Sequence, residues 1–357
     1  MTPAPRIAIA AGGTAGHVVP ALAVAGALRA EGASVAFVGG ERAEAELVPA
    51  AGYELHPIRV AGLDRRNPLR AVRAVLLAAR AVLTSIRLLR SLRVDAVLGG
   101  GGYVAGPVGL AAVLLRIPLV LTEADSHLGV ANRLLAPFAR RVCLAFPLPG
   151  RSGERYRVTG RPVPPPATDR AAARARFGPA LDDTVVLVFG GSLGARSINE
   201  AAVEAFADAP FRVLHAAGTR DFPSLTAPAA HYDLREYVHD FGDALLAADL
   251  VVARAGGSVF EIAAAGRPAI LIPYPAAAAD HQSLNAGWMA DGGAAVVIRD
   301  AELTAARLRG EVDALLADPA RLAAMARASA ALARPDAARD IAAELLAAAG
   351  ALARVPA

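Results

Sequence analysis

Arg6 to Glu31 reads RIAIAAGGTAGHVVPALAVAGALRAE, and Thr184 to Phe206 reads TVVLVFGGSLGARSINEAAVEAF. Each stretch is a short apolar run, a glycine turn and then a helix-forming pattern. Apolar runs without polar alternation mark strands covered on both faces, as in parallel sheets. Working outward, the first half predicts strands over Ile7–Ala11, Ser34–Val38, Ala96–Gly99 and Leu119–Thr122, with helices over about Val19–Glu31 and Val108–Leu115. The second half repeats the pattern, with strands over Thr184–Phe189, Val213–Ala216, Leu250–Ala253 and Ala269–Pro273 and helices over Ser197–Phe206 and Val259–Ala265. Between the halves, PLPGRSGERYRVTGRPVPPP (147–166) is too rich in Pro and Gly for a helix or a central strand and reads as a linker. The expectation is an α/β protein of two Rossmann-like domains, 1–160 and 161–336, whose parallel sheets face a central cleft. A helix over Ala337–Leu352 either ends the second domain or returns to the first.

The length of 357 residues suits two domains of roughly 150 residues each. Hydrophobic residues at 55% against charged residues at 20% exclude wholesale disorder. A single cysteine, Cys143, excludes an intramolecular disulfide and a cysteine metal cluster. The chain has no Lys, so all 37 basic residues are Arg, and a bias that uniform is weak evidence for nucleic-acid binding unless the charge clusters. It clusters once: from Arg59 to Arg93 nine Arg face one acid, Asp64, a local net of +8 in a chain of net +4, so the remainder is acidic. No stretch reads as a signal or spanning segment, because the run from Ile7 ends in glycines and Val104–Leu121 is broken by Pro107, Arg116 and Pro118.

Glycine turns recur at the ends of expected strands: Gly12-Gly13-Thr14-Ala15-Gly16, Gly99 to Gly102, Gly190-Gly191-Ser192-Leu193-Gly194 and Gly256-Gly257-Ser258. Such turns let the backbone approach a phosphate, whose charge is met by helix N–H groups and the helix dipole. None is a G-x-G-x-x-G fingerprint, and none carries the Lys of a Walker loop, so hydride transfer and ATP hydrolysis gain no support.

Taken together, GGTAGHVVPALAVA (12–25), GGGGYVAGPVGLAA (99–112), TEADSHLGVANRLLA (122–136), VTGRPV (158–163), GGSLGARSIN (190–199), ADLVVARAGGSVFEIAAAGRPAILIPYP (248–275) and DHQSLNA (280–286) resemble the MurG family of inverting GT-B glycosyltransferases, nearly end to end. The resemblance implies transfer of N-acetylglucosamine from UDP onto lipid I to make lipid II, with no metal and no cofactor. Alternatives are a divergent GT-B enzyme with another UDP-sugar or another lipid or natural-product acceptor, and a non-catalytic sugar-nucleotide-binding paralogue.

By the same resemblance the C-terminal domain holds the donor at Ser192, Val238, Gly257, Ser258, Glu261, Gln282 and Asn285. The N-terminal domain holds the lipid-linked diphosphate around Gly13, Gly102, Tyr103 and Asn132. Thr14, Ala15 and Gly16 are expected at a diphosphate, the acceptor's or the donor's. His17 and Glu123 are the candidates for the base that activates the acceptor hydroxyl, His17 ranked first.

The chain also departs from the family pattern. Thr122-Glu123-Ala124-Asp125 replaces the usual His-Glu-Gln-Asn, putting Asp125 where an amide near the donor is expected. Pro164 stands where an Arg is common, and Arg161 is a candidate to supply the missing cation to a phosphate. Leu193 replaces a Gln, and the loop Arg254 to Glu261 is one residue short.

Asn67 and Pro68 are helix-start signals, and Arg66, Arg73, Arg80 and Arg87 then repeat every seven residues as a basic stripe. Val72, Val75, Leu76, Ala79, Leu83 and Ile86 are expected on another, apolar face, which either joins the core opposite solvated Arg or lies against lipid. With a lipid-linked acceptor implied, this helix is expected against an anionic membrane on its cytoplasmic side, as a peripheral contact.

Overall fold

A computed structural model of the chain describes residues 4–60, 68–178, 180, 182–277 and 280–352, with Ala15, residues 68–76, Ala78 and residues 351–352 described by backbone alone. The chain divides into two compact units, Met1–Pro164 with Arg334–Ala357 and Pro165–Ala333.

The first unit runs β1 (Arg6–Ala10), α1 (Ala15–Ala30), β2 (Ser34–Gly39), α2 (Ala43–Ala50), β3 (Glu54–Pro57), α3 (Pro68–Leu92), β4 (Ala96–Gly99), α4 (Ala105–Leu114), β5 (Leu119–Glu123), α5 (Val130–Leu135), a 3-10 turn over Ala136–Phe138, β6 (Arg141–Leu144) and β7 (Tyr156–Val158). Its strands form one parallel sheet in the order β3-β2-β1-β4-β5-β6-β7. The register alternation shows why the runs are apolar throughout. Ile7 and Ile9 of β1 point into a core with Val24 and Leu28 of α1, while Ala8 and Ala10 point to the opposite core with Leu89 of α3 and Val108 of α4. A strand covered on both faces has no solvent side to keep polar.

The second unit runs α6 (Arg170–Phe177), β8 (Val185–Phe189), α7 (Arg196–Ala205), β9 (Arg212–Ala216), β10 (Tyr232–Arg235), α8 (Phe241–Ala247), β11 (Leu250–Ala253), α9 (Val259–Ala264), β12 (Ala269–Leu271), α10 (His281–Asp291), β13 (Ala295–Val297), α11 (Ala305–Leu316) and α12 (Pro319–Leu332). Its parallel sheet has the order β10-β9-β8-β11-β12-β13. In both sheets the order reverses beside the first strand, between β1 and β4 and between β8 and β11. Doubly wound sheets hold ligands at such switch points, beyond the carboxyl ends of the strands.

Three details differ from the reading of the sequence. Helix α1 starts at Ala15, four residues earlier than expected, so Gly16 and His17 lie in its first turn. The stretch read as linker contains β7, which pairs with β6 as an edge strand over Tyr156–Val158, where no Pro interrupts. On α3 the buried face is Ala81, Ser85 and Leu89; of the expected apolar face Ile86 packs against the core, Ala79 and Leu83 are exposed, and the side chains of Val72, Val75 and Leu76 lie outside the described residues. Ala81 and Ser85 are small enough to let α4 approach, and the Ser85 hydroxyl is satisfied within the helix by Ala81 O at 2.7 Å.

Helix α13 (Ala337–Leu352) belongs to the first unit. Its Ile341, Leu345 and Ala349 enter the core that contains Ile7, Ile9 and Val24. Glu344, nearly buried, accepts from Arg141 Nε of β6 (2.7 Å) and from Arg157 of β7 (2.6 Å), fixing the helix to the edge of the sheet.

Candidate functional site

In the first unit the site grows from the loops after β1, β4 and β5. Thr14 is the N-cap of α1, with extended backbone and no side-chain cap hydrogen bond, so its hydroxyl can turn to a ligand. The first amides of a helix have no intrahelical acceptor, which makes Ala15 and Gly16 natural partners for an anion. Pro20 sits inside α1 and has no N–H for the carbonyl four residues before it. That carbonyl is Gly16 O, and Arg161 takes it at 2.8 Å. The cation is thereby seated beside the turn where a phosphate was expected.

His17 follows directly. Burial pushes its imidazole below the ordinary 6.5, Arg161 pushes it further down, and Asp125 opposes them. At neutral pH the ring is therefore neutral and able to accept a proton. Gly101, with a left-handed φ of 97°, passes so close that a Cβ there would stand 2.7 Å from His17 Nδ1. Gly102 meets a different demand: a Cβ would stand 1.9 Å from Gly12 O, so the loop after β4 needs it to lie against the loop after β1.

Glu123 ends β5 and is 7% exposed. Its Oε1 accepts the Asp125 N–H (3.1 Å), and its Oε2 accepts the Gly129 N–H (2.8 Å) and Asn132 Nδ2 (2.9 Å). Burial raises its pKa against the pull of those donors. With both oxygens engaged, Glu123 clamps the 123–132 loop, and Asn132 adds a bond to Thr122 O at 2.9 Å. Of the two candidates for the base, His17 is the one whose ring is not committed in this way. Gly13 and Tyr103 meet through a residue that the sequence reading missed, Glu44 of α2, which accepts from the Gly13 N–H (2.8 Å) and from the Tyr103 hydroxyl (3.0 Å). Its position in the first turn of α2 looks in sequence like ordinary helix-dipole complementarity.

In the second unit, Ser192 is exposed at the tip of the β8–α7 loop. It is not the cap of α7, since Ala195 occupies that position. Gly194 and Gly218, both with φ near 90°, interlock: a Cβ at Gly194 would stand 2.2 Å from Ala217 O. The Thr219 N–H donates to Ser192 O at 3.1 Å, so the loop after β9 props the one that carries Ser192.

Ser258 caps α9 and Glu261 lies in its first turn, both half-buried, with Gly257 before them. Gln282 Oε1 accepts the Tyr274 N–H (2.9 Å), which leaves its amide nitrogen to donate to a sugar hydroxyl. Asn285, 2% exposed, donates to Ala255 O at 2.9 Å and so anchors the 254–258 loop. The Val238 side chain is buried just beyond β10.

These loops share an organiser that no motif singled out. Arg254, 8% exposed, donates to Ile272 O and Pro273 O (both 3.2 Å), to Ser197 Oγ (2.9 Å) and to Asp300. Ser197 Oγ in turn donates to Asp300 at 2.7 Å. One guanidinium thus joins the ends of β11, β12 and β13 to the start of α7.

The comparisons with known proteins agree with the two-domain fold. The model of the glycosyltransferase family 28 N-terminal domain matches residues 7–144, and that of the family's C-terminal domain matches residues 185–341. The chain is 44% identical over 333 residues to the UDP-N-acetylglucosamine--N-acetylmuramyl-(pentapeptide) pyrophosphoryl-undecaprenol N-acetylglucosamine transferase of Rubrobacter xylanophilus, covering 91% of this chain and 98% of that protein. It is 41% identical to the enzyme of the same name from Pseudomonas putida, covering 93% and 94%. The crystal structure of Acinetobacter baumannii MurG superposes with a TM-score of 0.77 at 31% identity, over 97% of this chain and 100% of that one. With a matching family model on each half and relatives this similar along almost its whole length, the chain belongs to glycosyltransferase family 28 and, within it, to the MurG family.

Proposed function

We propose that the protein transfers N-acetylglucosamine from UDP-N-acetylglucosamine to the 4-hydroxyl of the muramyl sugar of lipid I, with inversion, forming lipid II for peptidoglycan synthesis. The names of its relatives support the reaction. The observation that carries it in this chain is His17, neutral at the start of α1 and coupled to Asp125 and Arg161. The first unit takes the acceptor and the second takes the donor. The imidazole accepts the hydroxyl proton as the oxygen bonds to the anomeric carbon, and the bond from that carbon to the β-phosphate oxygen breaks, its electron pair leaving with UDP. Ser192 and the amides that open α7 and α9 meet the charge on the departing diphosphate. Val238 and its neighbours face the uracil, Glu261 accepts from the ribose hydroxyls, and Gln282 holds the sugar. Asp125 acts on His17 by holding its basicity up.

The test is transfer from radiolabelled UDP-N-acetylglucosamine to a lipid I analogue, run beside other UDP-sugars and other acceptors. Labelled disaccharide on the lipid is expected with this pair alone. Transfer to a different acceptor with none to lipid I would overturn the assignment.

Peripheral attachment to the cytoplasmic face of the membrane completes the proposal. No helix among the described residues is long and apolar enough to cross a membrane. Helices α3, α4 and α5 pack in series, and they and the 3-10 turn expose Leu83, Leu110, Leu114 (60%), Leu134 (66%) and Phe138 (65%). Exposed Arg80, Arg87, Arg116, Arg133 and Arg140 lie on or beside the same elements. Arg66 of the basic stripe lies outside the described residues, as does the side chain of Arg73. Apolar side chains among cations suit an anionic lipid surface, where each Arg contributes about 1 kcal/mol and an inserted Leu or Phe about 1.5–3 kcal/mol. Leu134→Glu with Phe138→Glu is therefore expected to lower binding to phosphatidylglycerol vesicles at least about tenfold. Arg80→Gln with Arg87→Gln is expected to weaken it only at low salt. Binding unchanged in both pairs would remove this face from the membrane.

A further inference from the structure

Glu44 is fully buried where three loops meet. Its Oε2 accepts the Gly13 N–H at 2.8 Å, and its Oε1 accepts the Gly40 N–H at 2.8 Å and the Tyr103 hydroxyl at 3.0 Å. The donors belong to the loops after β1, β2 and β4. Glycine makes the room: a Cβ at Gly12, Gly39 or Gly40 would stand 2.6, 2.9 or 2.9 Å from Glu44 atoms. The two amides and the phenol hold the carboxyl below its ordinary range despite burial, so the group is an anion at neutral pH. The Tyr103 ring lies over Gly13, 3.6 Å from where its Cβ would be, and Arg42 stacks on that ring with its guanidinium carbon 5.2 Å from the centroid.

A carboxylate is an unexpected occupant of a turn built to receive phosphate, because it takes an amide that a phosphate oxygen would otherwise be offered. We propose that Glu44 is a positioning residue for the acceptor diphosphate: by engaging the Gly13 and Gly40 amides and the Tyr103 hydroxyl, it fixes Tyr103 over the first glycine loop and moves the phosphate seat onto the amides that open α1. This rests on the acceptor assignment made above. Glu44 touches no substrate in this account. It acts through Gly13 and Tyr103, and its negative charge keeps a phosphate from settling deeper in the turn, at Gly13.

The test compares Glu44→Gln and Tyr103→Phe with the unaltered protein, measuring KM for a lipid I analogue and for UDP-N-acetylglucosamine separately. The two amides bond to different oxygens, and Gln replaces one of these by an NH2 that faces an N–H donor, so the acceptor KM is expected to rise about tenfold in Glu44→Gln. In Tyr103→Phe, which removes one hydrogen bond and folds even if the other variant does not, it is expected to rise about threefold. The donor KM stays unchanged in both. The double variant is expected to fall short of the product of the single effects, because both act through one carboxylate. An unmoved acceptor KM in both variants, with only a lower unfolding midpoint, would reduce Glu44 to a structural tie and overturn the proposal, as would equal rises in both KM values. Absence of transfer by the unaltered protein would instead fail the acceptor assignment itself and this inference with it.

Discussion

His17→Ala is expected to lower kcat/KM for the acceptor by about 10²–10⁴-fold, the range that a positioned general base supplies. Binding of UDP is expected to stay the same, because the residues proposed for the donor lie in the second unit. The same base sets the pH dependence. His17 lies below 6.5 because burial and Arg161 disfavour its cation, and Asp125 partly restores it. A base with a lowered pKa is lost only as pH falls through that lowered value, so the acid limb of kcat/KM lies below 6.5. Asp125→Asn removes the favourable charge and is expected to move that limb further down, whereas Arg161→Met is expected to move it up. An acid limb that ignores both changes, or a His17→Ala enzyme within about tenfold of the original, would place the base elsewhere.

Arg254→Met is expected to give the largest loss of stability. It removes the cation facing Asp300 and leaves Ile272 O, Pro273 O and Ser197 Oγ without that donor. Breaking a buried ion pair from one side costs about 3–5 kcal/mol, and the low end applies because the Asp300 side chain is 23% exposed. The chain has one tryptophan, Trp288 on α10, whose ring lies 5.2 Å from that of Phe260. Its fluorescence therefore reports the second unit by itself. In urea the Trp288 transition is expected to move down by about 1–2 M, and the donor KM is expected to rise as the loops after β11 and β12 loosen. A transition within about 0.3 M of the original would mean that Asp300 and Ser197 hold these loops without the guanidinium.

What was legible in the sequence followed burial. Strands β4 and β11 lie over Ala96–Gly99 and Leu250–Ala253 as read, because both are central, covered on both faces and apolar throughout. Edge strands gave weaker signals: β7 and β10, Tyr156–Val158 and Tyr232–Arg235, carry polar residues that an edge tolerates, and neither was found. On α3 the expected apolar face is divided, with Ile86 packed against the core and Leu83 exposed, because apolar residues run around much of the helix and the small Ala81 and Ser85 occupy the buried side. Most of the loops that carry the candidate site stand out in the sequence through their glycines. The carboxylate and the guanidinium that organise them, Glu44 and Arg254, were not assigned, because their partners come from loops far apart in the chain. Periodicity carries no information about hydrogen bonds to backbone groups across a sheet.

The return of α13 to the first unit bears on how the protein is made. The core face shared by β1 and α1 leaves the ribosome before the second unit is made, yet the helix that covers part of it is translated only after the whole of Pro165–Ala333. At roughly 5–20 residues per second, β1 and α1 wait about 15–60 s for Ile341 and Leu345. The second unit is one unbroken segment and can complete its fold during that interval. The nascent first unit therefore presents an open apolar face until α13 has been made, so its core closes only after the second unit has been translated.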